Sequence, residues 1–457
     1  MYDIAVIILC LGLLIWLAYR GGNLVVLAPV AAILAVILSG GGRVLASYTQ
    51  IFMREAGEFI IVYFPLFLLG AIFGKLMDAT GSAKVLAEGI VARLGEQRAI
   101  LAVILSCAAM TYGGVSLFVV AFAVYPVAVR LFARADLPRQ LMPATIALGS
   151  FTFTMTALPG SPSIQNAIPM PFFGTTPFAA PGLGLIAAAV MFGFGWWWLE
   201  YRARAIGPGQ GPVLPAPRED EGAGPSLAIA ALPLLLVLVL NLLFTFVVLP
   251  ALDTSYLAEP MFGETSIADV RGIWSVIAAL TLAILLILGL NPGRIAPLLR
   301  AVDEGARDAL EPIFNTASLV GFGAVVATLS GFALITGWVL NMGGENVLLS
   351  LATASGLLAG MTGSASGGMS IALNTLGETY MQMAQAAGIS PDLLHRVTVM
   401  ATGSLDTLPH NGAVITLLGI CHVTHREAYK DIAVAGIVGP VIALGLVIVL
   451  GTLFGSF

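Results

Sequence analysis

Leu405-Asp406-Thr407-Leu408-Pro409-His410-Asn411-Gly412 stands inside an apolar run that extends from 393 to 421. The run is long enough to cross a bilayer, yet its centre holds a carboxylate, an imidazole, an amide, a proline and a glycine. Proline removes an amide and breaks a helix, and glycine lets another group approach the backbone. Broken backbone at membrane depth is tolerated only where protein or a wet cavity surrounds it. A second run, 141–176, carries the same kind of interruption, from Thr156 through Leu158, Pro159, Gly160, Ser161, Pro162 and Ser163 to Gln165 and Asn166.

The composition surrounding these breaks is that of a membrane protein. Of 457 residues, 58% are hydrophobic and 10% are charged, against about 25% charged in soluble domains. Too few solvated groups exist to coat a globule. With a net charge of −5, these figures exclude a cytosolic enzyme, a secreted disulfide scaffold, a disordered chain and a nucleic-acid binder. Cys10, Cys107 and Cys421 lie in apolar runs and read as small buried hydrophobes. The first apolar run begins at Tyr2 without a basic segment before it and reads as a retained helix.

Apolar stretches near 20 residues span a hydrocarbon core. Ten are expected to cross: 2–19, 24–39, 58–77, 141–176, 182–200, 227–250, 272–290, 308–340, 393–421 and 432–454. Two others, 99–129 and 347–383, are broken at their centres by Gly-Gly and could be tight pairs of crossings or re-entrant hairpins. Lys75, Lys84, Arg93 and Arg98 precede the first, and Arg130, Arg134 and Arg139 follow it. Basic residues favour the cytoplasmic side, so both flanks lie inside and the segment reads as re-entrant. The other has no Lys or Arg before Arg396 and reads as a hairpin entering from outside. Placing both termini on the outer face leaves all but four basic residues (Arg43, Arg54, Arg271 and Arg396) in the cytoplasm.

Three landmarks recur in order about 250 residues apart. Residues 54–60 resemble 307–313, Gly113-Gly114-Val115-Ser116-Leu117 resembles Gly367-Gly368-Met369-Ser370-Ile371, and 156–159 resembles 406–409. The expected fold is an all-α polytopic membrane protein of two inverted repeats. Residues 1–202 form the first repeat and 227–457 the second, joined by a cytoplasmic linker over 203–226 that is rich in Gly and Pro. Secondary transporters have this architecture, with the site near the midplane where broken helices meet.

Four breaks should build that site: the hairpin tips at Thr111–Ser116 and Thr362–Ser370, and the two interrupted crossings. The substrate-binding candidates in the first repeat are Tyr112, Gly113, Gly114, Ser116, Thr156, Ser161, Ser163, Gln165 and Asn166. Those in the second are Ser364, Ser366, Gly367, Gly368, Ser370 and Asn411. None of the breaks contains Lys or Arg, which suits a small carboxylate held by helix N-termini and hydroxyls and equally a neutral polar solute. Asp406 and His410 are candidates to carry the coupling proton; His410 could instead cap the broken helix. Close packing of small residues is the alternative account of the Ser, Thr and Gly content. Arg54 with Glu58 reads as an i,i+4 pair. His395, His422 and His425 read as solvated loop residues, and His422-x-x-His425 lacks a third metal ligand. Trp196-Trp197-Trp198 reads as an interfacial belt.

Four motifs together resemble the gluconate/proton symporter (GntP-type) family of the ion-transporter superfamily. They are Phe73–Gly81, Thr111–Gly114, Leu158–Asn166 and Leu405–Gly412. The resemblance spans essentially the full length. It implies proton-coupled uptake of a small hydroxy or carboxylic acid across the inner membrane, without a cofactor. It also implies a homodimer whose elevator-like region carries both hairpins and both broken helices. Gluconate-specific members carry a His-containing stretch where Leu158-Pro159-Gly160-Ser161-Pro162 stands here. That difference turns the expectation toward a monocarboxylate such as 3-hydroxybutyrate, beside gluconate itself and citrate-like acids. Sodium coupling through carbonyls freed by Pro159 and Pro409 is the nearest alternative. A passive channel and an intramembrane enzyme are more distant, the latter because no HExxH or GxSxG motif is present.

Overall fold

A computed structural model describes the chain except for Met1, Gly21, Gly41, Glu96, Gln97, Ser116, 208–223, Ala333, Ile335, Thr336, 338–345 and His410. Ser116, His410 and most of the 203–226 linker therefore lie outside the described residues.

The described residues are helical. Six helices are long and apolar enough to cross a membrane: Val44–Ala79 (α3), Pro181–Ile206 (α11), Leu227–Ala251 (α12), Ile267–Leu290 (α13), Pro292–Ala327 and His425–Phe454 (α20). At 1.5 Å per residue the 24 residues of α13 reach about 36 Å, beyond the roughly 30 Å hydrocarbon core. Their outward faces stay apolar: Leu235, Val239, Phe246, Leu285 and Val449 are all exposed. A soluble protein would not leave so much contiguous apolar surface in water; acyl chains cover it at no cost.

Several expected boundaries move. The crossing placed at 58–77 begins much earlier, at Val44, because a π-helical segment at Ser47–Phe52 carries the helix on. The crossing placed at 308–340 is instead the amphipathic helix Ile295–Asp308 (α14) running into Leu310–Ala327 (α15), which ends at Ala327. The helix Leu24–Leu38 (α2) has 15 residues, about 22 Å, shorter than a full span. The preceding helix is Tyr2–Tyr19 (α1).

Both Gly-Gly segments fold as helical hairpins. The first joins Ala99–Tyr112 (α5) to Leu117–Arg134 (α6), and Gly114 takes φ +98° at its turn, a value that favours glycine. The second joins Val347–Thr362 (α16) to Ala365–Ala387 (α17). Gly363 turns left-handed at φ +64°, and Ser364 caps α17 by accepting from the Gly367 amide at 3.1 Å. The second reversal is thus only two residues long. Gly367, Gly368 and Ser370, expected at an open tip, lie inside α17. A Cβ on Gly368 would collide with the Ala359 backbone of α16, so this glycine serves helix–helix packing.

The runs 141–176 and 393–421 are each divided into several helices. The first runs Met142–Ser150 (α7), Phe153–Thr156 (α8), Ile164–Ala167 (α9) and Pro169–Phe173 (α10). The second runs Pro391–Ser404 (α18) and Gly412–Cys421 (α19).

Contacts between elements pair off across the chain. Hairpin arm α5 packs on α7, and α16 packs on α18; α6 touches α19, and α17 touches α9 and α10. Likewise α2 packs on α15 as α13 packs on α3, α1 on α2 as α12 on α13, and α11 packs on α20. Each broken helix is therefore braced by the first arm of one hairpin before its break and by the second arm of the other hairpin after it. The short helix Ser82–Leu94 (α4) lies against α5, α6 and α12.

Candidate functional site

The first break leaves several carbonyls without helical partners, and side chains satisfy them. Tyr112 at the first hairpin tip donates its hydroxyl to the Pro159 carbonyl at 2.7 Å. Asn241 of α12 donates to the Gly160 carbonyl at 3.0 Å, and Ser163 donates to the Met155 carbonyl at 2.8 Å. Asn166 donates from Nδ2 to the carbonyls of Ser161 (3.0 Å) and Pro177 (2.9 Å). Gly160, at φ +77°, donates its amide to the same Pro177 carbonyl.

A buried cation completes this frame. Arg396 is fully buried. It donates from Nη1 to the Thr156 carbonyl at 2.9 Å, and from Nη2 and Nε to the Ala179 carbonyl at 2.7 and 3.2 Å. Its neighbour His395, also fully buried, lies 3.2 Å from Asn166 Oδ1 through Nε2 and 2.7 Å from Thr175 Oγ1 through Nδ1. Asn166 spends its amide hydrogens on carbonyls, so its oxygen accepts. An imidazole protonated on Nε2 alone then satisfies both contacts, with Thr175 donating to Nδ1.

These two residues correct the expectation of a solvated His395 and of a site without a basic side chain. α18 starts at Pro391 behind the Ser390 cap and is buried from Leu393 onward. His395 and Arg396 therefore sit in its second turn, within reach of the first break. The centre built around the breaks is not free of basic side chains. Sequence spacing could not reveal this, because the groups that Arg396 satisfies lie more than 200 residues away in the chain.

The second break is held differently. Asp406 Oδ1 accepts from the Ala365 amide at 2.9 Å and from Asn411 Nδ2 at 2.8 Å. Asn411 also donates to the Gly363 carbonyl at 2.9 Å and caps α19 by accepting from the Ala413 amide. Asn411 thus binds the turn of the second hairpin, and Asp406 binds the first residue of α17 just after it. His425 approaches the Pro409 carbonyl through Nε2 at 2.9 Å, so it is not a free loop residue. His422 is exposed, and its carbonyl accepts from Arg139 at 2.8 Å. Among the described residues no His, Cys, Asp and Glu cluster could hold a metal ion.

The two breaks are neighbours. A Cβ on Gly403 would stand 3.2 Å from the Thr156 Cβ, so α8 and α18 touch three residues before Asp406. Hydrogen bonds connect each hairpin tip to its break, and Arg396 connects the helix of the second break to the first. Tyr112, Thr156, Ser161, Ser163, Asn166, Ser364, Asp406 and Asn411 all belong to this assembly. Gly114 joins it through Pro162, whose Cγ would lie 3.2 Å from a Cβ there. Gly113 instead faces Leu234 and Gly367 faces Leu319. Ser370 donates to the Ser366 carbonyl inside its own helix at 2.8 Å, and the Ser366 hydroxyl lies 3.3 Å from that of Ser364.

Four buried polar atoms in the hairpins and breaks have no hydrogen-bond partner among the described residues: Thr111 Oγ1, Gln165 Oε1, Ser355 Oγ and Thr407 Oγ1. An unpaired buried polar group costs about 1–3 kcal/mol. Elsewhere the polar groups are spent on structure. Asp431, fully buried, accepts from Arg202 Nε at 2.8 Å and Trp198 Nε1 at 3.0 Å. One tryptophan of the expected belt therefore anchors an internal ion pair, while Trp197 remains exposed.

No protein-family model matches the chain. It is 43% identical over 448 residues to the uncharacterized transporter YxjC of Bacillus subtilis (strain 168), covering 94% of this chain and 95% of that protein. The chain belongs to the YxjC transporter family. Two solved structures share the fold. One is the Alcanivorax borkumensis YdaH transporter, whose crystal structure is described as having an unusual topology; its TM-score is 0.57 at 15% identity, covering 91% of this chain and 90% of YdaH. The other is Neisseria gonorrhoeae MtrF, described as illuminating a class of antimetabolite efflux pumps; its TM-score is 0.54 at 11% identity, covering 91% of this chain and 85% of MtrF. This YxjC-family chain is accordingly a polytopic membrane transporter that shares the fold of YdaH and MtrF, and not an enzyme.

Proposed function

We propose that this YxjC-family chain is a secondary transporter that takes up a small organic acid together with protons across the bacterial inner membrane. The observation that carries the reading is the placement of Asp406. It is an ionisable group at a helix break, bonded to a hairpin tip and to Asn411, and such groups mark ion pathways. Losing or gaining a proton there changes which donors the carboxyl holds, and so whether the second hairpin tip stays closed on its break.

The substrate reading rests on the unpaired Thr111, Gln165 and Thr407 groups and on the fixed positive charge of Arg396 beside the first break. Together they suit a short monocarboxylate with a hydroxyl, such as 3-hydroxybutyrate or gluconate, as the GntP-type resemblance implies. Sodium coupling is less well supported. Of the carbonyls that the two prolines free, that of Met155 already accepts from the Ser163 hydroxyl at 2.8 Å. The contacts that pair off across the chain support two inverted repeats. The loop charge asymmetry supports placing both termini on the outer face, and the GntP-type resemblance implies a homodimer with an elevator-like region that carries the hairpins and broken helices.

Purified protein in proteoliposomes tests this. An inward proton gradient should drive accumulation of a labelled short hydroxy acid above equilibrium, and Asp406→Asn should remove the accumulation while leaving exchange of external for internal substrate. Accumulation driven by sodium at clamped pH would overturn proton coupling. Flux that never exceeds equilibrium would make the protein a channel.

A further inference from the structure

The helix α13 opens on a capping box that spends the Asp269 carboxylate on Ser266. Arg271 follows in its second turn. Among the described residues its guanidinium meets no hydrogen-bond acceptor; Nε is buried without a partner, and the residue as a whole is half-buried. The next residue fixes where it stands. A Cβ on Gly272 would lie 2.5 Å from Met170 Sδ and 3.0 Å from the Thr175 carbonyl oxygen, and Thr175 is the residue that meets His395. Arg271 is thereby set against the segment that leaves the first break.

A carboxylate faces it from the other helix of the site. Asp392, half-buried near the start of α18, interacts electrostatically with Arg396 in its own helix and with Arg271 across from it. It forms a contact ion pair with neither among the described residues. Arg396 spends its donors on the Thr156 and Ala179 carbonyls, whereas those of Arg271 stay unspent. Asp392 offsets part of the charge of Arg271 but none of its hydrogen-bonding capacity.

We propose that Arg271 binds the carboxylate of the transported acid at the rim of the first break, with Asp392 as its internal competitor. This assignment rests on the organic-acid reading above. Two carboxylate oxygens match a guanidinium fork in parallel bonds. The neighbouring Asp392 repels further negative charge, so the site selects a monocarboxylate over a dicarboxylate or a dianionic phosphate.

Isothermal titration calorimetry on the full-length protein in detergent decides the matter. The probes are 3-hydroxybutyrate and gluconate, each beside its neutral primary amide. The native protein should bind at least one acid about ten-fold more tightly than its amide. Arg271→Gln should weaken that acid about ten-fold, the loss of a charge-assisted bond, and change the amide less than about two-fold. Asp392→Asn should act in the opposite direction and tighten the acid about three-fold, because the guanidinium loses its competitor. A purely structural role for the pair would weaken acid and amide alike in both variants, and that result would overturn the proposal. Unchanged acid affinity in Arg271→Gln would do the same, as would an Asp392→Asn protein that binds the acid no more tightly; in each case a native preference for acid over amide leaves the organic-acid reading standing. A native protein that binds neither acid, or an acid no better than its amide, would remove that reading and this assignment together.

Discussion

The two breaks start from similar sequence and reach opposite solutions. The first, at Thr156–Asn166, has its carbonyls met by Tyr112, Asn166, Asn241, Ser163 and the buried Arg396. The second, at Asp406–Gly412, is held by a carboxyl and an amide that reach the second hairpin tip, and by His425 at the Pro409 carbonyl. One break is pinned by donors from distant elements, and the other rests on a group able to change its protonation. The difference divides the work. A transporter needs a rigid part to carry and a labile part to respond, and a buried arginine that donates to two carbonyls cannot let go cheaply.

The sharpest way to break this comparison is Arg396→Leu. Hydrogen bonds to charged groups contribute about 1.5–3 kcal/mol each, and the variant strands the Thr156 and Ala179 carbonyls in the interior. We expect a loss of roughly 3–5 kcal/mol, read as a large fall in the unfolding temperature of the detergent-solubilised protein. Arg396→Lys should rescue little, since an ammonium cannot span the two carbonyls as the planar fork does. A variant as stable as the native protein would mean that the first break is not pinned.

Asp406→Asn should cost less stability, roughly 1–2 kcal/mol, because an amide oxygen can still accept from the Ala365 amide. Its main effect should appear in the proteoliposome assay as lost gradient coupling. If coupling survives, the second break is not the responsive one. Tyr112→Phe removes one hydroxyl from the Pro159 carbonyl and should lower stability by about 1 kcal/mol, without altering the proton dependence of uptake. The smallest effect belongs to Ser370→Ala. Its hydroxyl bonds only within its own helix, so stability should change by less than about 0.5 kcal/mol and substrate affinity should not change. A marked loss of affinity would return Ser370 to the binding surface.

Much of this architecture is legible in the chain because it follows from local chemistry. Pro159 and Pro409 interrupt helices wherever they stand, and the Gly-Gly pairs lie close to the hairpin reversals. The Arg54–Glu58 pair forms at 3.0 Å, as the i,i+4 spacing leads one to expect. Cys10, Cys107 and Cys421 are free and buried. The misreadings share another cause. Gly367, Gly368 and Ser370 look like a second copy of the first tip, but the Gly363 turn comes earlier and draws them into α17. His395 and Arg396 look like the solvated end of a crossing until α18 is seen to start upstream of them. His425 acquires its role only because the chain returns past Pro409.

By itself, the sequence determines that this chain lies in a bilayer, that two of its membrane segments are broken, and that Asp406 occupies one of the breaks. Those features depend on hydrophobicity and on the backbone limits of proline and glycine, which act within a few residues. Which carbonyls are satisfied, by which donors, and whether the centre holds a cation were decided by tertiary structure alone. A hydrogen bond from α18 to a residue more than 200 positions away has no signature in local spacing, because it exists only once the helices between them have packed.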